Sequence, residues 1–156
     1  MGDGYLVTRS ILVDAPAADI YARIVDLHRW REWSPWEDLD PDLQRDYSGA
    51  AQGVGAQYAW SGNKKAGKGR MAIVATEAPS AVDVSVVFEK PFKSKSTSLF
   101  RLGPEGSGTR VEWAMTGTHS VFSRIAGPLK IFDKMIGKDF EKGLAHLKAA
   151  SEGQTP

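Results

Sequence analysis

The chain predicts an α+β fold: seven antiparallel strands in one curved sheet wrapped around a long C-terminal helix, with two short helices between strands 1 and 2. Three observations carry this. Large apolar side chains recur two apart: Tyr58 and Trp60, Met71 and Ile73, Val86 and Phe88, Phe100 and Leu102, then Val111, Trp113 and Met115. Strand residues two apart share a face, so each run coats one side of a sheet. Clusters of turn-forming residues separate the runs at short intervals, which favours a meander. The last stretch changes period, with Ile125, Leu129, Phe132, Ile136, Phe140, Leu144 and Leu147 on one side of a helix.

Residues 5–13 mix β-branched and polar side chains (Val7, Thr8, Ile11, Val13) and read as the first strand. Ala15-Pro16 starts a helix, because a proline at the first helical position loses an N–H that would be unpaired there anyway. Asp19 suits the positive end of that helix, and Ile20, Ile24 and Leu27 give it a buried stripe. Trp30, Trp33 and Trp36 continue at intervals of three, but Pro35 disfavours helix at Ser34. A second short helical piece followed by an irregular loop to Pro41 fits both facts.

Six β-rich segments follow, at residues 43–47, 56–61, 70–77, 82–89, 97–102 and 109–116. Between them lie turn clusters at 48–49, 53–55, 62–69, 78–81, 90–93 and 103–108, and glycines at strand ends help the sheet bend. Gly127-Pro128 opens the final helix, which runs to about Ala150, roughly 34 Å long at 1.5 Å per residue. Lys130, Lys134, Lys138, Glu141, Lys142 and His146 form its wet face. Without an internal repeat or dividing linker, residues 1–150 read as one domain and 151–156 as a polar tail.

At 156 residues the chain is long enough to bury a sizeable core. Its net charge of +1 supplies no general attraction to nucleic acid or to an anionic membrane. The cysteine count is 0, which removes disulfides, thiol nucleophiles and thiolate metal ligands. No apolar run reaches the roughly 18–20 residues of a membrane span, and residues 1–10 carry no signal-peptide core. The expectation is a cytoplasmic protein, monomeric or homodimeric.

Local motifs add little chemistry. Gly62-Asn63-Lys64-Lys65-Ala66-Gly67-Lys68 matches the opening of a phosphate-binding loop, but Gly69 stands where Ser or Thr would hold magnesium, and a strand follows instead of a helix. Asp38, Asp40 and Asp42 imitate a calcium loop, yet Leu43 and Gly49 replace its glycine and its glutamate. His28, His119 and His146 are scattered, which gives no zinc spacing. Glu89 and Glu112 are expected to pair across strands with Arg70 or Arg101. Lys64, Lys65, Lys68 and Arg70 form one basic cluster, and Lys90, Lys93 and Lys95 another. Both read as solvated hairpin residues, or else as a cationic rim that steers an anionic, lipid-like ligand. No catalytic residue, metal site or cofactor is assigned.

The aromatic set says more. Five tryptophans are many for this length; a plain core favours Leu, Ile and Val, while aromatic and methionine linings recur in pockets for flat apolar ligands. The order of several segments then resembles a known superfamily. They are Ile11-Leu-Val-Asp-Ala-Pro-Ala-Ala-Asp-Ile-Tyr21, Trp30-Arg-Glu-Trp33-Ser-Pro-Trp36, Gly53-Val-Gly-Ala-Gln-Tyr58-Ala-Trp60-Ser-Gly-Asn63 leading to Gly69-Arg-Met71, Phe88-Glu-Lys-Pro-Phe92, Gly108-Thr-Arg-Val-Glu-Trp113-Ala-Met-Thr-Gly117, and Gly137-Lys-Asp-Phe140-Glu-Lys-Gly-Leu144. Together they resemble the START-like superfamily, which includes the birch pollen allergen, and within it the bacterial polyketide cyclase/dehydrase-like branch.

The resemblance implies a helix-grip fold with a cavity between sheet and helix for lipids, sterols, polyketides or hormones. It also implies that some members catalyse aldol cyclisation or dehydration. Combined with the spacing, it makes a small hydrophobic or amphipathic ligand the expected partner, bound for transport or sequestration. Trp33 and Trp36 are expected near the entrance. Tyr58, Trp60, Met71, Phe88, Phe100, Trp113 and Met115 are expected on the sheet wall, and Phe132, Ile136 and Phe140 on the helix wall. The inward positions read as apolar or aromatic, which favours binding over catalysis; Asp38, His119 and Arg124 are loop residues within reach of the pocket mouth. The alternatives are an aromatic polyketide cyclase/dehydratase and a protein-interaction module of the same fold.

Overall fold

The computed structural model describes residues 4–35, 40–64, 66–90, 93–118 and 129–153. The strands are β1 (Gly4–Val13), β2 (Gln44–Gly49), β3 (Ala56–Ser61), β4 (Lys68–Glu77), β5 (Ala81–Lys90), β6 (Ser94–Glu105) and β7 (Gly108–Thr118). They form one sheet in the order β1-β7-β6-β5-β4-β3-β2, antiparallel throughout. Strands β2 to β7 are sequential neighbours, and β1 pairs with the last of them. β1 and β2 therefore occupy opposite edges, and the chain between them has to cross the sheet. It does so as helix α1 (Ala17–Val25) and a 3₁₀ helix (Leu27–Glu32).

α1 rests on β5 and β6 through the stripe read from spacing, Ile20 and Ile24 being fully buried. Pro16 caps the helix in an extended conformation instead of occupying its first turn. The last carbonyls of any helix lack partners within it. Here two indoles supply donors: Trp30 Nε1 to the Ile24 carbonyl at 2.8 Å, and Trp33 Nε1 to the Arg23 carbonyl at 3.0 Å. The interval of three between these tryptophans brings both under the end of α1.

The strands outrun the alternating residues that announce them. β6 continues through Gly103 and Pro104 to Glu105, which pairs with Gly108 across a two-residue turn. Gly106 adopts φ +61° in that turn, a conformation natural only to glycine. The predicted six-residue turn at 103–108 is thus corrected to Gly106-Ser107. Register shifts in β4 against β5, at Lys68/Gly69 and Ile73/Ala75, add twist to the sheet.

The final helix, α2 (Leu129–Ser151), buries Phe140, Leu144 and Leu147 and packs mainly on β1, with Phe140 reaching Trp113 of β7. Its expected start at Gly127-Pro128 lies outside the described residues. Two glycines set how closely it approaches. A Cβ on Gly143 would stand 2.9 Å from both Trp113 and Pro35, and one on Gly137 would overlap the Arg9 guanidinium. At the C-terminal end, the Glu152 carboxylate accepts from Lys148 Nζ and, at 2.7 Å, from the Asp14 N–H, tying the helix end to the end of β1.

Candidate functional site

The register decides what the concave face carries. Along the pairing order it presents Val7, Ile11 and Val13 of β1, Val111, Trp113 and Met115 of β7, and Phe100 and Leu102 of β6. Beyond these come Val82 to Phe88 at alternate positions of β5, Met71 and Ile73 of β4, Tyr58 and Trp60 of β3, and Tyr47 of β2. The aromatic residues among them divide into two groups.

The first is a packed block. Phe140 lies flat on Trp113, centroids 4.0 Å apart and planes 8° apart. Trp113 stacks on Phe100 at 5.1 Å, and Trp33 meets both edge-on at 5.5 and 5.8 Å. Trp30 closes the cluster against Trp33 at 4.7 Å. Phe100, Trp113 and Phe140 are fully buried and Trp33 is 1 % exposed. Trp33, expected at an entrance, is held here beneath the end of α1.

The second group is a ladder across the other half of the sheet. His28, on the 3₁₀ helix, stacks on Tyr47 at 3.9 Å; Tyr47 stacks on Tyr58 at 4.9 Å, Tyr58 on Trp60 at 5.9 Å, and Phe88 meets Trp60 edge-on at 5.4 Å. Tyr47, Trp60 and Phe88 are half-buried, His28 is exposed, and only Tyr58 is buried. Gly69 makes the ladder possible, since a Cβ there would stand 2.7 Å from the Trp60 indole. The Trp60 Nε1 donates to the Ala66 carbonyl at 3.0 Å. At the His28 end, a cleft of about 130 Å³ opens between Leu27, Tyr47, Ala50, Ala56 and Gln57. His28 Nδ1 lies 3.2 Å from the Asp26 carboxylate.

Met71 and Met115 lie buried on the same concave face, and Ile136 is half-buried on α2. Trp36 and the Phe132 side chain lie outside the described residues, as do Asp38, His119 and Arg124. Spacing missed four contributors. Tyr47 has no bulky residue two away to reveal its face, and His28 joins only through tertiary packing. Ser96 and Ser98 correct the expectation of a wholly apolar interior: both face inward on β6 and are 9 % and 4 % exposed. Counting back by twos from Phe100 would have found them.

The remaining motifs resolve into structure. The 62–67 loop spends its backbone on itself, Gly62 N–H to the Gly67 carbonyl at 2.9 Å and Gly67 N–H to the Asn63 carbonyl at 2.8 Å, and leads into β4. Asp40 accepts from the Asn63 and Asp42 N–H groups, both at 2.8 Å, which anchors this loop. Among the described residues no group of three or more His, Asp or Glu is placed to hold a metal ion, and no helix is long and apolar enough to cross a membrane. Arg70 pairs with Glu89 at 3.6 Å as expected. Arg101 turns to Asp83 at 2.6 Å, although Glu112 stands opposite it in register. Lys64, Lys68, Lys90, Lys93 and Lys95 are exposed, and Lys68 faces Lys90 across the β4/β5 pair.

The model for the family described as polyketide cyclase / dehydrase and lipid transport matches residues 6–152. The chain belongs to this family. Its segments run in the order expected of the START-like, helix-grip superfamily, and solved structures agree on the fold. A protein from Mesorhizobium loti, MLL2253, superposes with a TM-score of 0.70 at 15% identity over 97% of this chain and 100% of its own. The Aha1 dimer from Colwellia psychrerythraea gives 0.66 at 18% identity over 95% and 96%. CalU16 from Micromonospora echinospora gives 0.61 at 19% identity over 98% and 85%. No curated protein matches the sequence.

Proposed function

We propose that this protein binds a small hydrophobic or amphipathic ligand on the concave face of β2 to β5, beside α2, for transport or sequestration. The observation that carries the reading is the aromatic ladder. Tyr47, Trp60 and Phe88 keep part of their rings accessible on a face where the fold otherwise buries its apolar residues, away from the β1 and β7 surface that α2 covers. Aromatic rings left open in a concave surface suit a flat or chain-like apolar partner. In this reading Tyr58, Trp60, Met71, Phe88 and Met115 are the sheet wall and Ile136 belongs to the helix wall. Trp33, Phe100, Trp113 and Phe140 form the floor.

The family's description also covers cyclase and dehydrase members. Such chemistry needs a general acid or base at the substrate. Among the described residues the concave strand positions carry phenols and hydroxyls but no carboxylate or imidazole, and the ladder's imidazole, His28, stands exposed at its end beside Asp26, which favours binding.

Titrating fatty acids, sterols and polycyclic aromatics while following tryptophan emission tests the reading, with Trp60→Phe as the control that assigns the signal. A saturable change that is lost in Trp60→Phe is expected. No saturable response across the panel would overturn it.

A further inference from the structure

A net charge of +1 hides an uneven distribution. Five arginines pair with carboxylates away from the strand ends at 61–68 and 90–94: Arg9, Arg23, Arg29, Arg101 and Arg110. The lysines at those ends differ. Lys64, Lys68, Lys90, Lys93 and Lys95 are all exposed, and among the described residues none of the five has an ion pair. The two hairpin ends meet, because Lys68 stands opposite Lys90 across the β4/β5 pair. Like charges directly opposite each other destabilise a sheet. One row further in, Val87 lies between Arg70 and Lys95. That row points outward, since Met71 and Ser96 occupy the alternate, inward positions. Its one described carboxylate close by is Glu89, held by Arg70 at 3.6 Å; Asp46 lies beyond Ala59, at the β2 edge.

A fold that gathers unpaired like charges gives up stability at that place, and an anionic partner restores it. We propose that this end of the outer sheet face docks on an anionic lipid bilayer through Lys64, Lys68, Lys90, Lys93 and Lys95. Three features favour a bilayer over other polyanions. The outer face of a sheet wrapped around a helix is convex, so it offers no groove for a nucleic-acid duplex. The outward residues around the cations, Ala59, Ala72, Ser85 and Thr97, are short, so a plane of headgroups can come close. Lysine is a mobile point charge, which suits diffuse attraction to a charged surface, whereas bidentate recognition of single phosphates uses arginine. The contact stands on the charge distribution alone. Its use follows from the ligand-binding reading above, because a sparingly soluble ligand resides in membranes. Trp60 and Phe88, at the partly open end of the ladder, flank Gly69 and so border the same strand ends.

The test is co-sedimentation of the full chain with phosphatidylcholine vesicles, with and without phosphatidylglycerol, over a series of salt concentrations. Binding should require phosphatidylglycerol and weaken as salt rises. Each lysine near the surface should contribute roughly fivefold, so Lys68→Gln with Lys90→Gln should lower the partition coefficient roughly 25-fold. That variant should melt no lower than the wild type, since it relieves a like-charge pair. Arg110→Gln with Lys142→Gln removes as much charge elsewhere and should change binding less than twofold, roughly the distant-charge limit set by screening. Equal affinity for neutral and anionic vesicles, or an equal loss in the control variant, overturns the docking surface. Saturable binding of a DNA duplex or of polyglutamate, with none to vesicles, overturns the bilayer as the partner. Ligand titrations without vesicles are read separately. If they fail while anionic vesicles bind, the docking surface stands and the ligand-binding reading falls; if they succeed while vesicles do not bind, the docking surface alone falls.

Discussion

Phe140→Ala should cost about 3–5 kcal/mol of stability, whereas Phe88→Ala should cost about 1 kcal/mol and show its effect on ligand binding. Phe140 is fully buried and lies flat on Trp113 at 4.0 Å. Removing its ring forfeits the transfer energy of a buried phenyl group, about 1.5–3 kcal/mol, and leaves a hole as well. That hole has little means of closing. Helix α2 is already at contact distance, with no room for a Cβ between Gly143 and Trp113, and Leu144 and Leu147 hold it there. Trp113 is braced in turn by Phe100 and Trp33. For a domain of this size each kcal/mol moves the melting temperature by about 2–4 °C, so the midpoint should fall by about 6–20 °C. Phe88 is half-buried and touches the ladder edge-on, so it has less to lose. Urea and thermal unfolding of both variants, followed by far-UV circular dichroism, provide the measurement. If Phe140→Ala stays within about 1 kcal/mol of wild type, or Phe88→Ala costs as much as Phe140→Ala, the division into a packed floor and an open wall is wrong.

Other perturbations probe the same architecture. Gly69→Ala should displace the Trp60 indole and cost about 1–3 kcal/mol through overpacking, seen as a shift in tryptophan emission that Trp60→Phe removes. Trp33→Phe keeps most of the ring contacts but strips the Arg23 carbonyl of its indole donor, and should lower the urea-derived stability by about 1–3 kcal/mol. Lys148, and after it the Asp14 N–H, hold the Glu152 carboxyl below the usual carboxylate range. The stabilisation from this depressed group is complete above the unfolded value of about 4.3 and is lost as pH falls through the lower folded one. Glu152→Gln should therefore flatten the acid limb below about pH 5 in urea midpoints measured from neutral pH downward.

The fold was legible because each level of the sequence agreed. Bulky residues at spacing two named the concave face of five strands, and the stripe at helical spacing through Phe140, Leu144 and Leu147 named the face of α2 that is buried. Parity says which side of a sheet a residue faces but not what covers it there. Trp33, Trp60, Phe88 and Trp113 look alike in sequence; packing makes Trp33 and Trp113 part of a sealed block and leaves Trp60 and Phe88 partly open. That difference comes from where α2 and the 3₁₀ helix land, which depends on contacts far apart in the chain. Ser96 and Ser98 escaped notice for another reason: the eye follows large apolar residues, whereas the same alternation applied without regard to size places both hydroxyls inside.

The position of β1 bears on how the molecule is made. Its partners on β7, from Thr109 to Thr118, lie roughly a hundred residues further along the chain, while every other strand pairs with its neighbour in sequence. Hairpins from β2 to β7 can close as soon as each is synthesised, but β1 has no strand to join until β7 has emerged. Such long-range pairing raises contact order and slows the final step of folding. During that interval both the β7 edge and β1 itself offer unpaired backbone to other chains, so aggregation during expression should respond more to changes in β1 and β7 than to changes in the early hairpins.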